Sequence, residues 1–111
     1  MTAKSSAAAE ERGWAATDGQ PAMGLQVILL KRTYVFPWSQ LLYAEGTGEE
    51  VRVAFTTHDV IIKGHRLSLL LEDLAGQRVI QLREPSRSEK FTATVGPRIV
   101  ELAVRKPDEN L

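Results

Sequence analysis

Residues Val51 to Glu84 read VRVAFTTHDVIIKGHRLSLLLEDLAGQRVIQLRE, and within this stretch two hydrophobic periods adjoin. Val51, Val53 and Phe55 recur every second residue, as in a half-buried strand, and a β-branched run, Val60-Ile61-Ile62, follows the polar Thr56-Thr57-His58-Asp59. The period then changes. Leu67, Leu70, Leu71 and Leu74 fall at i, i+3, i+4 and i+7, on one face of a helix, and Gly76 stands where a glycine cap closes such a helix. The stretch predicts a hairpin feeding a helix that covers a sheet. The helical connection is long enough for a crossover, so the strands before and after it can be parallel if they share a sheet, and the crossover is then expected to be right-handed.

Working outward, Leu25, Val27 and Leu29 alternate with Gln26, Ile28 and Leu30. That gives a strand with apolar residues on both faces, one that needs cover on both. Lys31-Arg32-Thr33 reads as a turn or bulge into Tyr34-Val35-Phe36, which Pro37 interrupts because proline cannot donate to a ladder. Trp38 to Ala44 fits a strand or a single helical turn, with the strand preferred, and Glu45-Gly46-Thr47-Gly48-Glu49 reads as a hairpin loop. Beyond the helix, 78–83 is a strand with Val79, Ile80 and Leu82 inward, and RIVELAVR, 98–105, is the last strand. Between them, 85–97 is a long polar connection that Phe91 and Val95 are expected to pin to the core.

The fold class that follows is α+β. It is a mostly antiparallel, twisted sheet or half-barrel of roughly five to seven strands with one main helix, about 66–75, packed on it. Residues 1–22, rich in Ala, Ser, Thr and Gly, are expected to be a disordered N-terminal tail. Trp14 within them is read as solvent-exposed, and deletion of 1–20 is expected to shift the melting temperature by no more than about two degrees. Residues 23–106 then form a single domain and 107–111 a C-terminal tail.

Fourteen basic residues balance fourteen acidic ones, so no global field draws in nucleic acid or anionic lipid. The segment 78–106 carries a local excess, seven Lys and Arg against three Glu. Absence of cysteine excludes disulfides, a thiolate nucleophile and every cysteine-containing metal site. No apolar run reaches the roughly 18–20 residues of a membrane span. The acidic, discontinuous N-terminal segment fits neither a secretory nor an organelle leader, which leaves the cytoplasm as the expected location.

His58 and His65 are the natural candidates for acid–base or metal chemistry. At about 3.3 Å per residue they lie roughly 20 Å apart in one chain, too far to share an ion, and only a site between subunits is left open to them. His58 is better explained as a turn residue with Asp59 as its local capping partner. No G-x-S-x-G is present, Ser39 and Ser68 have structural explanations, and the carboxylate pairs Glu49-Glu50 and Glu72-Asp73 are read as solvated charges. Gly46-Thr47-Gly48 lacks the lysine and following helix of a phosphate loop. No cofactor or metal is implied.

Nucleic-acid binding has one constellation behind it. Tyr34, Phe36, Trp38 and Tyr43 lie near Lys31 and Arg32, and rings beside cations form stacking platforms for single strands. The chain has only seven aromatic residues, so core packing competes for them. Under this alternative the binding residues are Lys31, Arg32, Trp38, Arg98 and Arg105. The order of elements in 37–83 (strand, glycine turn, strand pair, leucine helix, strand) also resembles the LytTR type of bacterial DNA-binding domain. The basic strand end that the resemblance implies is interrupted here by Glu84-Pro85, and no functional residue is carried over. The leading expectation is a small non-catalytic binding or assembly module acting through protein contacts with a protein partner of unknown identity, as a homo-oligomer, most simply a dimer. A nucleic-acid-binding regulatory module is the alternative and an enzyme the third.

Overall fold

The computed structural model describes residues 12–90 and 96–107. In chain order the elements are β1 (Trp14–Ala16), β2 (Gly24–Ile28), β3 (Thr33–Pro37), a 3₁₀ turn (Trp38–Gln40), β4 (Leu41–Gly46), β5 (Glu50–Phe55) and β6 (Asp59–His65). There follow α1 (Ser68–Ala75), β7 (Val79–Arg83), the single-turn α2 (Arg87–Lys90) and β8 (Arg98–Arg105). The class is α+β, as expected. The strands number eight among the described residues, more than expected, and they form two four-stranded sheets, β1-β7-β2-β3 and β4-β5-β6-β8. A single half-barrel is therefore replaced by two sheets around one core.

The Val51 stretch folds largely as its periods dictate. β5 and β6 pair antiparallel with Val51 opposite Ile62 and Val53 opposite Val60, placing these apolar residues on the inner face. β4 pairs with β5 across the Gly46–Glu49 loop. There the Thr47 hydroxyl accepts from the amides of Glu49 (3.1 Å) and Glu50 (3.3 Å). At Gly46 a Cβ would run into the carbonyl oxygen of Glu50, so glycine is required by close backbone approach. Leu67, at the N-cap, Leu70 and Leu74 are buried, while Leu71 is half-buried.

The condition for a crossover is not met, and the cap expected at Gly76 is corrected. β6 and β7 lie in different sheets, so α1 links the sheets and is no parallel crossover within one; the parallel pair is β2 with β7. The left-handed residue after the helix is Gln77, with φ 53, while Gly76 keeps φ −90. The helix ends through amides of Gly76 and Gln77 on the Leu74 carbonyl.

The largest correction concerns the N-terminal segment. Trp14 is fully buried, β1 pairs antiparallel with β7, and the Trp14 indole Nε1 donates to Asp73 Oδ2 of α1 at 3.1 Å. Described residues 12–22 are thus tied to the domain by apolar burial and a sheet ladder, and the expected tail does not include them. Residues 1–11 and 108–111 lie outside the described residues, as do Phe91 and Val95.

The core joins Leu25, Val27, Phe36, Val79 and Leu82 of the first sheet to Val53, Phe55, Val60, Ile62 and Leu102 of the second. Burial of each large apolar side chain contributes roughly 1.5–3 kcal/mol, so the packed sheet faces dominate stability. β2 turns only one face inward. Leu25 and Val27 are buried, Gln26 is exposed, and Leu30 falls beyond the strand. Its inner face is covered by the second sheet, so the demand for external cover read from its sequence is lifted. On β7, Ile80 is 37% exposed, against the inward position expected for it.

Candidate functional site

The residues proposed for nucleic-acid contact are not brought together. Trp38 is buried, its ring 5.6 Å from that of Phe55 and its Nε1 donating to the Val79 carbonyl at 3.1 Å. It therefore offers no face for a base to stack on. Phe36 stacks on Phe55 at 4.6 Å and on Tyr34 at 5.7 Å, so these rings close one side of the core between the sheets. Lys31 and Arg32 are exposed in the β2–β3 turn, where the Leu29 amide donates to the Arg32 carbonyl. Arg98 is buried, with Nη2 donating to the Glu89 carbonyl, and belongs to the packing of the α2 segment. Arg105 is exposed at the far end of the same strand, opposite Asp59. At about 3.3 Å per residue the ends of β8 are over 20 Å apart, so Arg98 and Arg105 do not converge.

His58 is half-buried, its ring 5.5 Å from that of Tyr34 and 5.6 Å from that of Phe36, with Nδ1 2.9 Å from the Thr57 hydroxyl. Asp59 does not cap it. Asp59 is buried and accepts from Arg52 Nη2 at 3.0 Å; Arg52 also lies 3.7 Å from Glu45 and 5.6 Å from the centre of the Tyr43 ring. The Asp59 charge raises the Arg52 pKa, holding the guanidinium charged. His65 is exposed at the other end of β6, paired in register with Arg98. Among the described residues no three His, Asp or Glu side chains gather to hold a metal ion. Asp73, expected as a solvated charge, accepts from both Trp14 and Arg78 (3.0 Å), which makes it a structural link between α1, β1 and the residue that leads into β7.

What the fold does assemble is a patterned outer face on the second sheet, with open strands at its margins. Across β5, β6 and β8 the register sets Glu50 beside Lys63 and Lys63 beside Glu101, signs alternating. One row along, Glu45 faces Arg52, Arg52 faces Ile61, and Ile61 faces Ala103; the next row ends in Asp59 beside Arg105. Opposite charges directly across strands contribute roughly 0.2–1 kcal/mol each and fix register. The marginal strands carry exposed apolar side chains as well. Val35 on β3 is 71% exposed and Leu42 on β4 62%. Sequence alternation predicts which residues of a strand share a face, yet it is silent on which strand ends a sheet, and this surface depends on that order.

Comparison of the chain with protein-family models, with curated proteins and with solved structures finds no match. The resemblance of 37–83 to LytTR domains in element order is not supported by any family model. Among the described residues no helix is long and apolar enough to cross a membrane.

Proposed function

We propose that the chain is a small non-catalytic assembly module that acts through protein contacts at the margins of its sheets, as a homo-oligomer, in the cytoplasm. The observation that carries this reading is the combination of exposed large apolar residues, Val35 on β3 and Leu42 and Tyr43 on β4, with strands that end their sheets. Backbone donors and acceptors along such a strand are a ready template for another chain, and apolar side chains beside them gain from being covered. The acidic and basic side chains support the same reading, because opposite signs stand next to one another in register across the sheet, with Arg52 in contact with Asp59, and do not form a field of one sign.

Sedimentation equilibrium over a concentration series tests it. The expected result is a mass that rises from the chain's 12.3 kDa toward a multiple of it. A mass that stays at 12.3 kDa into the high micromolar range overturns the homo-oligomer. Tight binding of a single-stranded oligonucleotide, falling steeply with added salt, would favour the nucleic-acid alternative.

A further inference from the structure

We propose that β8 is the self-association strand, pairing antiparallel with β8 of a second copy about a two-fold axis at Ala103; this rests on the reading of the chain as an assembly module. β8 ends the second sheet in the order β4-β5-β6-β8, and among the described residues no backbone hydrogen bond from another element reaches Glu101–Arg105 besides the β6 ladder. The other terminal strands are less suited. β1 has three residues and a register shift, β3 has five and ends in Pro37, and β4 has an irregularity between Leu41 and Tyr43 and ends in Gly46. β8 has eight residues with neither proline nor glycine, and its pairing with β6 is regular from Glu101 to Arg105.

The side chains select the register. Glu101, Ala103 and Arg105 share the outer face, with both charged residues exposed. With Ala103 at the axis, Glu101 stands opposite Arg105 of the partner subunit, and Arg105 opposite Glu101 of the partner subunit. Alanine at the axis lets the strands approach without collision. The row Glu50, Lys63, Glu101 then continues into Arg105 and Asp59 of the partner subunit, so alternation of sign already present within the chain runs unbroken across the interface. On the inner face the same register sets Leu102 against Val104 of the partner subunit. Val104 is half-buried in the single chain and gains cover. The result is a continuous eight-stranded sheet through the dimer, with closed two-fold symmetry and no further open copy of this edge.

Charge reversal tests the pairing on the full chain. Glu101→Arg places cation against cation at both contacts of the homodimer, and Arg105→Glu places anion against anion. Each variant alone is expected to self-associate at least about tenfold more weakly, two pairs having turned from attraction to repulsion. Mixed in equal amounts the two variants restore opposite charges at both contacts, and the mass is expected to return to that of a dimer. A folding defect in either variant would not be repaired by mixing, so the mixture separates lost pairing from lost structure. A wild-type dimer that both variants keep, or a mixture that stays as weak as its components, overturns the β8 pairing and leaves the assembly reading standing. A wild type that never exceeds the chain mass overturns both.

Discussion

At the scale of single residues, Trp14 bears most on the account, because it converts a stretch of tail-like composition into part of the domain. Its ring is fully buried, its Nε1 is bound to Asp73, and Arg12 lies over it at 4.5 Å. Trp14→Ala is expected to cost about 3–5 kcal/mol, read as a fall in the denaturant midpoint, through lost burial and a cavity. Deletion of residues 1–20, neutral if the segment were a tail, is expected to lower the melting temperature by at least about 10 °C, since it removes the same ring and strand β1. A second residue sets a pH response. Arg83, binding through both nitrogens at 3.2 Å, and the Ser86 amide at 2.7 Å hold the Glu89 pKa down to about 2, from the ordinary 4.5. A carboxylate with a depressed folded-state pKa binds fewer protons folded than unfolded. The stability it lends is therefore complete above about pH 4.5 and lost as pH falls toward 2. Titration of the Glu89 side-chain carbon by NMR is expected to show the low midpoint in wild type and a return toward the ordinary carboxylate value in Arg83→Ala. The pair is partly exposed, so its effect on global stability is small.

At the scale of elements, α1 rests on Leu67, Leu70 and Leu74, which are buried, while Leu71 stands at the margin of the apolar face. Leu70→Ala is expected to cost about 2–5 kcal/mol in a chemical melt, Leu71→Ala distinctly less, and Glu72→Ala close to nothing. Equal losses at Leu70 and Leu71 would mean that the helix sits rotated from the position described. This element was legible in the sequence because leucine spacing encodes a face locally, and the β5–β6 hairpin was legible because alternation does the same. β8 was legible as the run RIVELAVR after the polar connection 85–97. β1 was not. Its three residues, Trp-Ala-Ala, carry no period, and what orders them is distant in sequence: β7 for the ladder and Asp73 for the indole. The same limit explains Trp38. A ring near cations reads alike whether it faces solvent or, as here, Phe55 and the Val79 carbonyl.

At the scale of the whole molecule, the apolar patterns suggested a strand covered on both faces, and the chain instead folds into two sheets that each bury one face against the other. That division rests on non-local pairings, above all β2 with β7 in parallel, and local periodicity holds no information about them. The surface that remains is then decided by sheet order. It leaves the alternating charges of Glu50, Lys63 and Glu101 on the outer face of the second sheet and β8 at the end of that sheet. Association through an open strand changes the backbone before it changes anything else, so amide hydrogen exchange compared at low and high micromolar concentration is the most direct test. The account predicts that amides within 101–105 exchange more slowly at high concentration while those of β3, 33–37, are unchanged. Exchange in β8 that is independent of concentration, or slowing confined to β3 or β4, would contradict the β8 pairing, and exchange unchanged in every strand would contradict the assembly reading with it.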